Sequence, residues 1–151
     1  MESIFAPSRR YFFCTAVSAA CLGMSFSATA LDKNGNFESK LEQDAFVAST
    51  LKKSAAEFNS QAPIQLDDDT KMMSVIALKK TITFNMRLPR FKSSDIDRSK
   101  LAQTMRENLG HTVCQSTATQ NLIDLGVEYV YLYWGNDGKL ITRVAISTYR
   151  C

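Results

Sequence analysis

The sequence predicts an α+β domain of two layers, ordered α-β-β-α-α-β-β, in which a four-stranded, mainly antiparallel sheet carries its helices on one face. Three observations point there. Val127, Tyr129, Tyr131 and Tyr133 alternate with Glu128, Val130, Leu132 and Trp134, and a second alternating run follows from Leu140 to Ile146. Between the two runs stand Gly135, Asn136, Asp137 and Gly138, residues that tolerate the positive φ of a tight turn, so the pair reads as a β-hairpin. Thr81 to Leu88 also alternates cleanly, and two longer segments place apolar residues at helical spacing.

The first thirty residues stand apart from the fold. Arg9 and Arg10 precede a run without charge from Tyr11 to about Phe26, and Ala28-Thr29-Ala30 is a small-x-small cleavage site. A transmembrane helix needs roughly 20 apolar residues, and this run is shorter and diluted by Ser, Thr and Gly. Residues 1–30 are therefore expected to be a removable signal peptide, leaving 31–151 as a single domain. A competing reading is lipoprotein cleavage before Cys21, which follows Ser18-Ala19-Ala20 but has no leucine three positions ahead.

Cys14 and Cys21 leave with the signal, and Cys114 and Cys151 remain. In an oxidising compartment two cysteines most simply form one disulfide. The bridge would close a loop of 37 residues, for which chain entropy gives at best about 4 kcal/mol. A free thiol or a metal pair is the alternative, with His111 as the lone histidine to complete it. Losing Arg9, Arg10 and Glu2 takes the 18 basic and 15 acidic residues to 16 and 14. A net charge of +2 is too small to argue for nucleic acid or an anionic membrane. The absence of an Asn-x-Ser/Thr sequon favours a bacterial periplasmic or secreted protein over a glycosylated one.

In chain order, Phe37, Leu41, Ala48, Leu51, Ala55 and Phe58 fall on one side of a helix that stops near Asn59, ahead of Pro63. Ser60 to Thr70 reads as a connector whose Asp67, Asp68 and Asp69 lack the spaced ligands and glycine of a calcium loop. Lys71 to Leu78 and Thr81 to Leu88 read as two strands joined at Lys79-Lys80. The second has Ile82, Phe84, Met86 and Leu88 on its core face, and Pro89 ends it. Ser93 and Ser94 are candidate N-caps for a helix carrying Leu101, Ala102, Met105, Leu109 and Val113, with a kink expected at Gly110-His111. A short helix from Ser116 to Leu125 closes on Gly126.

The chemistry is mostly negative. Phosphate loops, nucleophile elbows and zinc-protease motifs are missing, no cofactor or metal is implied, and a Cys-His nucleophile from Cys114 and His111 lacks an orienting group. Asp124 and Glu128 are near in sequence, but Gly126 turns the chain between them. Two candidate binding surfaces remain. Tyr129, Tyr131 and Tyr133 share one strand face, which is either a recognition row or core under helices. Lys79, Lys80, Arg87, Arg90 and Lys92 gather around the second hairpin as either an anion patch or charges that keep a sheet edge from pairing. The expected function is that of a non-enzymatic interaction module that holds another envelope or secreted protein on its exposed sheet face or on the Lys79 to Lys92 edge. A thiol- or His-dependent hydrolase and an assembly component or inhibitor of an envelope machine are the alternatives.

Several motifs carry a family resemblance: N-x-x-x-P-I-x-x-D from Asn59 to Asp67, Asp69-Thr70, the strand ITFNMRL, Cys114 after a helix, L-x-x-L-G-V-x-Y-x-Y from Leu122 to Tyr131, then G-K-L-I and the final Cys151. Together they resemble small exported bacterial proteins of uncharacterised activity, among them the quorum-sensing-regulated virulence factor family. The likeness spans Phe46 to Cys151 and implies export and an α+β sandwich. Its residues are those of a fold, so it implies no catalytic set.

Overall fold

The computed structural model describes residues 37–147. Ser39 caps α1 (Lys40–Gln61) by accepting a hydrogen bond from the Glu42 amide at 3.2 Å. The helix ends because Ala62 precedes a proline and turns extended. Its buried stripe is Val47, Leu51 and Ala55, continued by Phe58. Leu41, expected on that stripe, is 82% exposed. The stripe that begins at Val47 advances in steps of four, and a turn at Leu41 points elsewhere.

Four strands were expected, and the sheet has five, in the order β1-β2-β3-β4-β5. They are β1 (Ile64–Asp67), β2 (Thr70–Leu78), β3 (Thr81–Leu88), β4 (Glu128–Gly135) and β5 (Leu140–Ile146). The additional strand, β1, lies inside the stretch read as a connector. Four residues are too few for periodicity to register; the strand ends on Asp67, and Asp68 and Asp69 form the β1–β2 turn, where the Asp69 amide donates to Asp67 Oδ1 at 2.8 Å. The element order is therefore α-β-β-β-α-α-β-β. The sheet is mixed, since β3 and β4 run parallel while every other pair is antiparallel. A parallel neighbour needs a crossover connection, and α2 (Arg98–Gln115) and α3 (Thr117–Asp124) supply it.

Asp97, rather than Ser93 or Ser94, caps α2, accepting from the amides of Ser99 and Lys100 at 2.8 and 3.0 Å. Ser93–Asp95 instead forms a 3₁₀ turn. The helix runs through Gly110 without a break. Gly126 ends α3 at φ +87°, its amide bonding Ile123 O at 2.8 Å while the Val127 amide bonds Leu122 O at 2.9 Å. This is the paired closure that a glycine in the left-handed region permits. At the far end of β4, the Asp137 carboxylate accepts from the Ser93 hydroxyl and amide at 2.7 and 3.2 Å, fastening the β4–β5 turn to the β3–α2 connection. The Ser93 hydrogen bond holds its carboxyl below the usual carboxylate range.

One face of the sheet and the helices form a single core. Ile82, Phe84, Met86 and Leu88 of β3 are buried with Tyr129, Tyr131 and Tyr133 of β4, Val144 and Ile146 of β5, Leu101 and Val113 of α2, and Ile123 of α3. Phe58 of α1 meets Phe84 edge-on at 5.7 Å between centroids. Short β1 pairs only with the first part of β2, as far as Met72. Farther along β2, Asn59 takes over the sheet's work: its amide donates to Val75 O and its carbonyl accepts the Val75 amide, both at 2.7 Å. Asn59→Ala would leave both backbone groups unpaired, a cost of about 1–3 kcal/mol. Urea unfolding is the check, with a lowered midpoint and an unchanged slope expected.

Candidate functional site

The tyrosine row lies under the helices. Tyr129, Tyr131 and Tyr133 pair directly with Ile82, Phe84 and Met86, and directly opposed residues share a face. Their exposures are 6%, 8% and 3%, and Tyr131 stacks on Phe84 at 5.0 Å with planes 12° apart. The row is thus core and presents no binding surface. Burial disfavours the phenolate, pushing Tyr129 up to about 12 and raising Tyr131 and Tyr133 as well, with nearby tyrosines and Asp67 adding smaller contributions.

The five cations of the second candidate surface do not gather. Lys79 and Lys80 sit at one end of β3 and Arg87, Arg90 and Lys92 at the other, about 25 Å away by strand rise. Lys80 pairs with Asp44 of α1 and donates to Leu125 O at 2.9 Å. Arg90 pairs with Asp69 at 2.8 Å. Strand alternation places residues on faces but does not show how far apart the two ends of a hairpin fall.

The remaining candidates are dispersed. His111 is exposed, while Cys114, three residues on, is half-buried against the core. Cys151, its expected disulfide partner, lies outside the described residues. Glu128 bonds Arg143 at 3.2 Å and Asp124 is exposed. Among the described residues no group of three or more His, Cys, Asp or Glu is placed to hold a metal ion.

What the structure does assemble is the face of the sheet opposite the helices. Met73, Ile76 and Leu78 of β2 and Leu140 of β5 are 38%, 56%, 68% and 40% exposed there, and they account for four of the five large exposed apolar residues among those described. Register joins them across the sheet. Ile76 pairs with Thr83, which pairs with Val130, and Arg87 pairs with Trp134, which pairs with Leu140. A bulge between Met72 and Ser74 turns Met73 outward as well. It borders a shallow hollow with Asn85, Arg87, Trp134 and Gly138. Large exposed apolar side chains grouped on one sheet face make that face the candidate surface. Sequence reading passed over Met73, Ile76, Leu78, Leu132, Trp134 and Leu140 as candidates. The available signal was β4 itself, apolar on both faces although only one face has helices to cover it.

No protein-family model matches the chain, and no curated protein matches it in sequence, so the family resemblance rests on its motifs alone. Among solved structures the chain is similar to a Pseudomonas aeruginosa protein assigned as secreted, at TM-score 0.60 and 16% identity, covering 72% of this chain and 96% of that one. It is similar also to EpsS, the type 2 secretion system pilotin of Vibrio vulnificus, at TM-score 0.60 and 15% identity over 73% of this chain and 96% of that one. AspS, the type II secretion pilotin of Vibrio cholerae, follows at TM-score 0.58 and 13% identity over 74% and 97%. At these identities the likeness is one of fold. Among the described residues no helix is long and apolar enough to cross a membrane.

The buried tyrosines set an alkaline limit. Their folded pKa values lie above the unfolded value of about 10, so the stability they contribute is complete below that pH and is lost as pH rises through the folded values. Near pH 11 the native protein should show about two to three fewer tyrosinates by near-ultraviolet absorbance than the denatured chain. A native protein whose tyrosines titrate with a midpoint near pH 10, as in the denatured chain, would return the row to the surface.

Proposed function

We propose that this chain is an exported, non-enzymatic module of the bacterial envelope that holds a partner protein on the open face of its sheet, as an assembly component of a secretion machine. The observation that carries it is the exposed apolar face of Met73, Ile76, Leu78 and Leu140, set on a domain whose other sheet face is fully packed. The fold shared with two secretion pilotins supports the machine, and the small-x-small site at Ala30 supports export. His111 and Cys114 are neighbours on α2, but among the described residues no carboxylate is seen to orient His111, which leaves the hydrolase alternative with less support.

Photo-crosslinking residues placed at Ile76 and Leu140 should capture an envelope protein in cells, whereas the same residue at exposed Lys52 of α1 should not. Ile76→Asp should weaken that capture at least about tenfold, the effect of about 1.4 kcal/mol. Capture from Lys52 alone would place the partner on the helices and overturn the proposal.

Within this reading the mature chain begins at Leu31 and a Cys114–Cys151 bridge ties the end of α2 to the segment after β5. Intact mass of the envelope protein should show two alkylated cysteines only after reduction, and Cys114→Ser should cost about 2–4 kcal/mol. Alkylation without reduction would remove the bridge. Acyl mass on Cys21 would replace cleavage at Ala30 with lipoprotein processing.

A further inference from the structure

Lys71 of β2 and Arg87 of β3 are direct cross-strand partners, and both are half-buried on the open face. Like charges so opposed sit with their Cβ atoms about 5 Å apart and destabilise a sheet. Three other cations of the sheet and its turns are matched, Lys80 by Asp44, Arg90 by Asp69 and Arg143 by Glu128. Lys71 and Arg87 have no carboxylate partner among the described residues. In the adjoining turns Asp69 is committed to Arg90 and Asp137 to Ser93, and exposed Asp68 forms no ion pair with either cation. The contact that Arg87 makes is with a neutral acceptor, Asn136 O at 3.3 Å.

The surroundings of this pair are specific. Arg87 also pairs with Trp134 on β4, and Met73, Asn85 and Gly138 complete the hollow at its side. Asn85 donates to Ser74 Oγ at 3.0 Å, which fixes its amide in place. An unmatched dication thus adjoins an indole and a thioether, and from it the exposed apolar residues lead away to Ile76 and Leu78.

We infer that the Lys71–Arg87 pair is a carboxylate-reading site, and that the open face accepts an amphipathic peptide segment carrying Asp or Glu beside a large apolar residue. The carboxylate bridges the two cations, the apolar neighbour enters between Trp134 and Met73, and the rest of the segment lies toward Ile76. From Lys71 to Ile76 is about 17 Å of strand, the length of about eleven helical residues. Two cations in an apolar setting do not suit a polyanion, which requires a basic stripe, nor an anionic lipid surface, which is met by clusters of four to eight basic residues. The inference rests on the open face being the docking side and names what that side selects.

The test uses mature protein, Lys71→Gln, Arg87→Gln and the double variant. Random peptides of about twelve residues, enough for about three helical turns, are selected by display against the unmodified protein. Enriched peptides should combine Asp or Glu with large apolar residues and bind the double variant at least about tenfold more weakly. In the absence of peptide the double variant should melt no lower than the parent, and higher at low ionic strength. That gap should close as salt screens the repulsion. Failure to enrich any peptide, enrichment without acidic residues, undiminished binding by the double variant, or a lowered melting midpoint would each overturn the carboxylate site. If the double variant still crosslinks the envelope partner from position 76, docking on the open face stands while its acidic selectivity falls. Loss of crosslinking in the unmodified protein would remove both.

Discussion

The parallel seam between β3 and β4 is the constraint on which the rest of the structure depends. Eight register pairs run from Thr81 with Glu128 to Leu88 with Gly135. Alternate pairs put Ile82, Phe84 and Met86 beside three tyrosines, so one face of the seam is almost wholly apolar and aromatic. Because the strands run the same way, the chain between them must cross back over the sheet, and α2 and α3 make that crossing on the aromatic side. There Leu101, Val113 and Ile123 join the core. Phe58 draws α1 onto the same side through Phe84. With three helices committed to one face, the other is left without a covering element among the described residues.

That second face does not look like the wet side of an ordinary α+β sheet. Its polar positions, Thr81, Thr83 and Asn85, are interleaved with Val130, Leu132 and Trp134, and its margins carry Ile76, Leu78 and Leu140. Stability alone would favour charged or β-branched polar residues there and would not set Lys71 opposite Arg87. Tolerating both features costs the free domain something, as functional surfaces commonly do. The fold shared with pilotins and a secreted protein is compatible with many roles. The docking role is argued from this face.

Much of the fold was legible in local pattern. The alternation of Thr81 to Leu88 divides β3 into the faces it presents, and Gly126 marks the end of α3 because the left-handed closure there favours glycine. What escaped was short or non-local. β1 has only Ile64 and Leu66 to show alternation, and the bulge after Met72 breaks the period of β2. The parallel pairing is set by how the crossover packs, which no local window contains. The Leu41 stripe was misphased because helical spacing alone accepts several starting points. Which sheet face is the exposed one was not legible for the same kind of reason. A tyrosine row and an apolar row of equal regularity occupy opposite faces of β4, and only tertiary packing tells which one the helices cover.

Hydroxyl-radical footprinting of the methionines tests the division of faces and the docking role together. Met72 and Met86 are 4% and 5% exposed on the core side, whereas Met73, adjacent to Met72, is 38% exposed on the open face. In purified mature protein Met73 should oxidise readily while Met72 and Met86 resist, since thioether oxidation follows exposure. In intact cells, with the partner in place, Met73 should become as protected as its neighbour. Equal oxidation of Met73 in cells and in isolation would contradict the claim that this face is where the protein is held.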